Sequence, residues 1–433
     1  MRILRSIHLG LIFAAATLLA ACAQNNGVLP RSNASAGTNV FSPEQVLYRF
    51  LGGTDGSHPF DGLLDIAGDF YGTTQGAGSG GTGTVFKLSP SIRGYSETIV
   101  YAFRGGGMDG SGPLGSLIAD KSGALYGLTY GGGPAYNGTA FKLTPSGGAY
   151  SESVIYFFRG GTDGSNPNGA LTNDAAGNLY GTTTAGGANG AGTVFRLTPA
   201  GSGYSEEVLY SFKGGTDGTT PRAGLLAVGS NLLYGTTLNG GGTSCNFSGT
   251  TGCGTIFRLK LKGGHYVESI AYRFQGGSDG ANPYGDLIAD PTGAIYGTTG
   301  RGGNTGSACG SSGCGTVFKL TPAGRRFSES IIYRFKGGSD GLGPVAGLIR
   351  GSNGAFYGTT LLGGTTNAGT VFVLTPAKSD TYMEKVLYTF GSSGATDGAG
   401  PSGDLIFGSG GDLYSTTSTG GTSGNGTVFD VMP

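Results

Sequence analysis

The chain has 433 residues, of which 92 are Gly, 37% are hydrophobic and only 12% are charged. Its 26 basic residues are balanced by 26 acidic ones, so it lacks the excess of positive charge that nucleic-acid-binding proteins present on one face. A composition this rich in Gly is typical of low-complexity chains, but here the glycines recur at fixed places between apolar runs. We therefore expect a folded protein without a nucleic-acid partner.

The first 21 residues predict an export signal. Arg2 and Arg5 precede an apolar run over residues 9–21, which is shorter than the roughly 20 residues of a transmembrane helix but fits a secretory signal. Residues 19–22 read Leu-Ala-Ala-Cys and resemble the lipobox of bacterial lipoproteins, in which the cysteine is acylated and becomes the mature N-terminus. We predict a lipoprotein signal peptide over residues 1–21 and lipid on Cys22. The alternative is an ordinary signal peptide that happens to contain a cysteine.

Residues 22–45 are rich in Ala, Asn, Ser and Gly and predict a flexible tether between the membrane and a folded domain. Ala23 stands where an Asp would favour retention at an inner membrane. The expected location is therefore an outer membrane or the cell surface, with the lipid anchor as the only membrane contact.

From Val46 onward the sequence is a tandem repeat. Seven copies are marked by the Tyr of a Tyr-Gly-Thr-Thr-like element, at Tyr71, Tyr126, Tyr180, Tyr234, Tyr296, Tyr357 and Tyr414. The steps between these markers are 55, 54, 54, 62, 61 and 57 residues. Periods above about 20 residues indicate solenoids or propellers.

Each copy holds four short runs with strand character, separated by turn residues. In the third copy these runs cover residues 169–172, 178–183, 192–198 and 205–212, and we call them strands a, b, c and d. No segment shows a sustained helical period. A four-stranded antiparallel sheet repeated seven times predicts an all-β fold, a seven-bladed β-propeller.

The two ends of the repeat region predict closure of the ring. The first run, residues 46–50, has the sequence of a d strand, and the last, residues 426–429, has that of a c strand. The seventh blade would therefore take its fourth strand from the N-terminal end. We predict one domain over residues 46–433, and we expect a monomer.

Three linked motifs carry a family resemblance. They are Leu-Tyr-Gly-Thr-Thr at residues 179–183, Gly-Thr-Val-Phe-Arg-Leu-Thr-Pro at 192–199 and Val-Leu-Tyr-Ser-Phe at 208–212. Together they resemble the GloVer tandem repeat, over about residues 46–429. The resemblance implies a bacterial surface protein with varied anchoring signals and no established activity. The departures are small, with Leu128 and Ala140 in the second copy and Ser415 in the seventh.

Between strand d and the next strand a, every copy has an Asp-Gly pair followed by Pro. The aspartates are Asp55, Asp109, Asp163, Asp217, Asp279, Asp340 and Asp397. Asp before Gly shapes turns by bonding to nearby backbone, so turn formation is the leading interpretation. A ring of carboxylates on a ligand face, contacting sugar hydroxyls or a protein, is the second. Calcium needs roughly six to eight oxygens, for which one carboxylate per loop is thin support. We predict no cofactor and no metal, with calcium kept as an option.

Charged residues around these loops predict surface pairs. Basic residues just before the Gly-Gly of the loops are expected to pair with the aspartates or to line the same rim, and they are Arg104, Arg159, Lys213 and Lys336. Ion pairs are also expected across the hairpin between strands c and d, namely Lys87 with Glu97, Lys142 with Glu152 and Arg196 with Glu206.

Four cysteines remain after Cys22, and they fall in two pairs. Cys245 and Cys253 lie in the fourth copy and Cys309 and Cys314 in the fifth, within insertions between strands b and c. In an oxidising compartment we expect two local disulfides, with zinc binding as the alternative. Two stiffened neighbouring loops predict a recognition surface there.

The sequence favours binding over catalysis. It has no nucleophile motif or phosphate loop, and the two histidines after residue 21, His58 and His265, are predicted at opposite ends of the propeller. We predict a binding or scaffolding module whose ligand is a glycan or a surface protein. The alternatives are an extracytoplasmic propeller enzyme, such as a lyase or hydrolase, and a passive surface-coat protein.

Overall fold

The computed structural model describes residues 44–433, except residues 93, 202, 248–249, 325 and 379–380. This part of the chain forms seven sheets of four antiparallel strands arranged in a ring, which confirms the predicted seven-bladed β-propeller. Its helical content is confined to two single turns of 3-10 helix, Gly277–Asp279 and Gly338–Asp340.

The blades contain the following strands, given in the order a to d. Blade 1 has Leu64–Ile66, Asp69–Thr74, Thr84–Ser91 and Gly94–Ala102. Blade 2 has a split strand a, Gly110–Pro113 with Ile118–Ala119, then Leu125–Gly132, Thr139–Ser146 and Ala149–Phe157. Blade 3 has Ser165–Asn173, Leu179–Ala185, Thr193–Ala200 and Gly203–Ser211. Blade 4 has Thr219–Pro221 with Leu226–Ala227, then Leu232–Asn239, Thr255–Lys262 and His265–Arg273.

The remaining blades follow the same plan. Blade 5 has Ala281–Pro283 with Ile288–Ala289, then Ile295–Arg301, Thr316–Ala323 and Arg326–Arg334. Blade 6 has Ile349–Arg350, Phe356–Thr360, Thr370–Pro376 and Tyr382–Thr389. Blade 7 has Gly398–Pro401 with Ile406–Phe407, then Leu413–Gly420, Thr427–Val431 and the N-terminal strand Glu44–Arg49. A two-stranded hairpin, Asn246–Phe247 with Thr250–Thr251, lies in the insertion of blade 4.

The ring closes as predicted, through the N-terminal strand. Glu44 lies opposite Val431 and Arg49 opposite Thr427, in antiparallel register. The backbone N–H of Phe50 continues the pairing with a bond of 3.0 Å to the carbonyl of Gly426. The strand begins at Glu44, two residues before the predicted start of the domain.

Aromatic pairs fill the space between neighbouring blades. The Phe that follows strand d packs edge-on against the Phe of strand c in the next blade, and the ring centroids lie 4.8–5.2 Å apart. The seven pairs are Phe50–Phe86, Phe103–Phe141, Phe158–Phe195, Phe212–Phe257, Phe274–Phe318, Phe335–Phe372 and Phe390–Phe429. These rings are buried, so each pair stabilises a contact between blades through apolar area and edge-to-face geometry.

The glycine of the Tyr-Gly-Thr-Thr element leaves room for this packing. A Cβ on Gly72 would lie 2.5 Å from the ring of Phe86, and the same crowding recurs in the other blades that have Gly there. Blade 7 has Ser415 instead, and its hydroxyl donates to the carbonyls of Gly403 and Asp404. The serine side chain, which is larger than that of glycine, is thus hydrogen-bonded to the strand a segment of its own blade.

The loops between strands d and a and those between b and c lie at the same end of the propeller, which we call the loop face. Gly78 N donates to the carbonyl of Gly53 and Gly133 N to that of Asp109, so the two kinds of loop are bonded within a blade. The a–b turns and c–d hairpins lie at the opposite end. His58 is on the loop face and His265 in a c–d hairpin, as predicted.

The predicted ion pairs across the c–d hairpin are wrong by one residue in register. The residues opposite Glu97 and Glu152 are Leu88 and Leu143, and Arg196 lies opposite Glu207 rather than Glu206. A shift of one residue moves a side chain to the other face of the sheet. Lys87 instead pairs with Asp69 at 2.6 Å, and Arg196 pairs with Glu207.

Candidate functional site

The seven loop-face aspartates hold the loops in which they lie. Each carboxylate accepts a hydrogen bond from the hydroxyl of the Tyr near the end of the preceding strand d, namely Tyr48, Tyr101, Tyr156, Tyr210, Tyr272, Tyr333 and Tyr388. Each also accepts from a backbone N–H four or five residues earlier. Asp163, for example, receives Tyr156 Oη at 2.9 Å and Arg159 N at 2.6 Å. This geometry is that of turn-forming aspartates.

The basic residues before these loops reach the aspartates through their main chain. The backbone N–H groups of Arg104, Arg159, Lys213 and Lys336 donate to the carboxylates at 2.6–2.7 Å. These residues therefore stabilise the loops through their backbone N–H groups. Among the described residues, no group of three or more His, Cys, Asp or Glu is arranged to hold a metal ion.

Both predicted disulfides are present, and each lies within the insertion of one blade. Cys245 is bonded to Cys253 and Cys309 to Cys314, with Cα atoms 5.1 Å and 4.9 Å apart. The bonded sulfurs leave none of these four thiols for zinc. A Cβ on Gly276 would lie 2.5 Å from Sγ of Cys245, so this disulfide packs against the loop that leads into blade 5. The two insertions are thus fixed to the loop face at neighbouring blades.

A glutamate of strand d lies beside each loop-face aspartate. The seven are Glu44, Glu97, Glu152, Glu206, Glu268, Glu329 and Glu384. Burial raises the pKa of these carboxyl groups to about 7, and to about 8 for Glu206 and Glu384, with the charge of the aspartate adding to the effect. The propeller therefore carries seven carboxyl pairs in which the glutamate titrates near neutral pH.

Three further carboxyl groups meet at the axis of the propeller. Asp61, Asp286 and Asp404 belong to the strand a segments of blades 1, 5 and 7, and each side chain is only partly accessible. Burial raises the pKa of all three; the charge of Asp61 helps to bring that of Asp286 to about 6, and the charges of Asp286 and Asp61 raise that of Asp404 further. A Cβ on Gly347 would lie 2.9 Å from Asp404 Oδ2 and 3.1 Å from the carbonyl of Asp286, and one on Gly62 would lie 2.9 Å from the carbonyl of Asp404. The strand a segments of blades 1, 5, 6 and 7 therefore approach one another closely around the axis.

Hydrogen bonds from neighbouring blades orient these carboxylates. Gly224 N donates to Asp286 Oδ1 at 2.7 Å, and Gly347 N donates to Asp404 Oδ1 at 2.6 Å. Ser116 Oγ donates to Asp61 Oδ1 at 2.8 Å. Contacts between blades therefore help to position all three groups.

Each copy has a proline in or shortly before strand a, and the side chain that follows this proline varies in polarity and charge from blade to blade. It differs in every blade and is Phe60, Leu114, Asn168, Arg222, Tyr284, Val345 or Ser402. The guanidinium of Arg222 lies 4.6 Å from the ring centroid of Tyr284. Burial raises the pKa of Tyr284, the charge of Arg222 opposes this rise, and the charge of Asp61 adds to it. Nδ2 of Asn168 and Nε of Arg222 are buried and have no hydrogen-bond partner within the described part of the chain.

This axial cluster was not predicted from the sequence. Its three aspartates occupy two different positions of the repeat, so no single column of the seven copies is acidic throughout. One feature of the sequence could have indicated the cluster. All seven copies have Pro and Leu four residues apart, while the three residues between them vary.

The predicted lipidation site, Cys22, lies outside the described residues. So do the predicted signal peptide and residues 22–43 of the predicted tether. Within the part of the chain that the structure describes, no helix is long and apolar enough to cross a membrane. The two disulfides indicate an oxidising, extracytoplasmic environment.

Blades built from one repeated unit and closed into a ring define this chain as a tandem-repeat β-propeller. Its sequence matches the Gloeobacter/Verrucomicrobia repeat over residues 16–173, 136–309 and 304–433. The chain therefore belongs to the Gloeobacter/Verrucomicrobia repeat family, as the resemblance in its motifs implied. No curated protein sequence matches it.

Solved structures share the fold at low sequence identity. A candidate 6-phosphogluconolactonase from Bacteroides fragilis is 14% identical with a TM-score of 0.51, over 83% of this chain and 87% of that chain. The extracellular domain of a candidate one-component system from B. thetaiotaomicron is 12% identical with a TM-score of 0.53, over 88% of this chain but only 40% of that chain. A candidate glucose dehydrogenase from Thermus thermophilus is 16% identical with a TM-score of 0.43, over 74% of this chain and 96% of that chain. The similarity to the first two shows the fold alone.

Proposed function

We propose that this protein is an extracytoplasmic binding module, anchored by lipid on Cys22, that recognises a glycan at its loop face. The observation that carries the proposal is that the loop face combines hydrogen bonds repeated in every blade, which we call the frame, with loop ends that differ between blades, which we call the tips. The frame consists of the seven Asp–Tyr contacts and the bonds between loops. The tips include two disulfide-held insertions and an exposed aromatic loop in blade 2. Rigid scaffolds that carry varied loops are a common basis of recognition.

The binding proposal is tested on a glycan array with the exported full-length chain purified in detergent. We expect at least one class of glycan to be bound. The control is His265→Ala, an exposed residue at the opposite end, which should bind equally well. A chain that binds no glycan would contradict the proposal and leave a surface-protein ligand, catalysis or a passive coat as the remaining functions.

The anchoring proposal is tested by replacing Cys22 with Ser. The thiol that would be acylated is lost, while the apolar run that directs export is kept. We expect the natural protein to incorporate labelled palmitate and the variant not to, with the propeller folded in both. A natural protein that takes up no fatty acid, or whose mature form begins at a residue other than Cys22, would contradict lipid anchoring.

The axial carboxyl groups support a second candidate function, an extracytoplasmic lyase or hydrolase. A carboxyl group with a pKa of about 6, as Asp286 has, can act as a general acid near neutral pH. The test compares the natural chain with Asp286→Asn, whose side-chain oxygen can still accept the bond from Gly224 N. New reducing ends released from a polysaccharide by the natural chain, and not by the variant, would establish catalysis. Their absence in both would leave binding.

A further inference from the structure

The b–c loop of blade 2 places an aromatic residue where the backbone disfavours one. Tyr136 has φ 56° at the loop tip, in the left-handed region. The same position in the other blades with loops of this length holds Gly81, Gly190, Asn367 and Gly424, with φ of 58–74°. Glycine and asparagine adopt this conformation readily, whereas a bulky side chain there is strained. Tyr136 is also 67% exposed, so burial does not compensate for the strain.

Other exposed apolar side chains surround this loop. Tyr130, near the end of strand b, is 40% exposed, and Met108, in the adjoining d–a loop, is 81% exposed. Gly133 N donates to the carbonyl of Asp109 at 2.9 Å, so the two loops are joined. Pro134 is exposed as well. Large apolar side chains are therefore concentrated at one part of the loop face.

A cavity opens beside the same loop. Its volume is about 430 Å³, within the range of small-molecule sites. It lies along the end of strand d of blade 2, where residues 154–159 line it, and Tyr204 at the start of strand d of blade 3 completes the lining. Pro134 and Ala135, which directly precede Tyr136, form its edge at the loop. The walls are thus mostly apolar and aromatic, with one guanidinium, a group that can donate several hydrogen bonds.

We propose that this part of blade 2 is a binding site for a neutral hexopyranose, the ring of which packs on Tyr136. A pyranose combines an apolar face of C–H groups, which suits the negative face of an aromatic ring, with hydroxyls at its edge. Tyrosine offers a large contact area at a low cost in side-chain entropy, which accounts for its presence at a strained position. The inference rests on the proposed function, since it names the sugar class and the blade that binds it.

The test measures binding of neutral hexose oligosaccharides to the full-length chain and to three variants. Tyr136→Asn introduces the residue type of blade 6 at this position, and Tyr130→Ala removes the neighbouring ring. Leu362→Ala is the matched control, because Leu362 is also 40% exposed on the loop face but belongs to blade 6. We expect Tyr136→Asn to weaken binding on the order of tenfold, which corresponds to the loss of one good aromatic contact. Tyr130→Ala should weaken binding less, and Leu362→Ala should leave it unchanged.

Stability provides the second measurement. Tyr136→Asn should melt at the same temperature as the natural chain or higher, because it removes backbone strain. Unchanged affinity in this variant, or a clear drop in its melting temperature, would overturn the proposal, since Tyr136 would then not bind the sugar or would be structural. A chain that binds acidic glycans but no neutral hexose would overturn this inference while the proposed function stands. A chain that binds no glycan at all would overturn both.

Discussion

Single carboxylates fix the loop face at the residue scale. Asp163 accepts hydrogen bonds from Tyr156 Oη and Arg159 N, and its six counterparts have equivalent partners in their own loops. The glycine that follows each of them packs against a pair of threonine hydroxyls, as Gly164 does against Thr183 and Thr193, whose oxygens are 2.8 Å apart. A side chain at this glycine would displace that pair, which explains the Asp-Gly sequence.

Replacing Asp163 with Asn tests the structural role of the ring. The amide has one accepting oxygen in place of two, so either the Tyr156 hydroxyl or the Arg159 N–H loses its partner. We expect a loss of about 1–3 kcal/mol in the free energy of unfolding, measured by urea denaturation. The control is Asp65→Asn, since Asp65 accepts a bond from Gly68 N in an exposed turn and should matter less. Equal effects at the two sites would contradict the role assigned to Asp163.

The sequence predicted the aspartates as turn formers but not their tyrosine partners. Asp-Gly is a local signal that depends on the backbone of a few residues. The partner hydroxyl comes from seven to nine residues earlier, in a bulged strand d, as with Tyr156 and Asp163. In the c–d hairpin of blade 1, Glu97 lies opposite Leu88 and near the carboxylate of Asp55, so it does not pair with Lys87. Residue types along one strand do not determine such offsets, and this is why the predicted ion pairs were wrong.

At the scale of the strand, the closing contact is equivalent to the other six. Phe50, which follows the N-terminal strand, lies 5.0 Å from Phe86, and Phe103 lies 5.0 Å from Phe141 at the next junction. Both Phe50 and Phe103 are fully buried. The sequence was enough to predict this closure, because the repeat region begins with a d strand and ends with a c strand. The prediction required only the type of each strand and no knowledge of side-chain contacts.

Phe50→Ala and Phe103→Ala should therefore destabilise the protein to the same extent. Each removes a fully buried ring at a blade junction, which costs about 3–5 kcal/mol. Urea unfolding of the two variants measures the difference. A much milder effect of Phe50→Ala would mean that the N-terminal strand is loosely held and that the ring is open in solution.

At the scale of the whole molecule, the seven Glu–Asp pairs act together on stability. The pKa of each glutamate is raised from 4.5 in the unfolded chain to about 7, or about 8 for Glu206 and Glu384, so the folded protein binds more protons between these values. The stability that these groups contribute is fully present below pH 4.5 and is lost as the pH rises through 7 to 8.

We therefore expect the urea midpoint of the natural chain to be higher at about pH 5 than at about pH 8. Glu206→Gln and Glu384→Gln together should reduce this difference, because the amides stay neutral beside Asp163 and Asp340. Lys385→Gln, at the residue next to Glu384, serves as a charge-changing control and should leave the pH dependence as it is. A midpoint that rises over the same pH interval would contradict the assigned pKa shifts.

The ring also explains which part of the candidate site the sequence could not reveal. The loops of blades 4 and 5 and their disulfides follow from cysteine spacing within single insertions. The axial carboxylates come from three copies that are far apart in sequence, and only closure brings Asp61 near Asp286 and Asp404. The equivalents of Tyr136 in loops of the same length are Gly or Asn, which favour the left-handed region, but the strain at Tyr136 is established only by its φ of 56°.

A crystal structure of the protein with a bound neutral hexose oligosaccharide is the most direct test of sugar recognition at the loop face. We predict a pyranose ring stacked on Tyr136 in blade 2, with its hydroxyls within reach of Arg159. Sugar density at the axial carboxylates Asp61, Asp286 and Asp404, or at the opposite end of the propeller, would contradict this prediction.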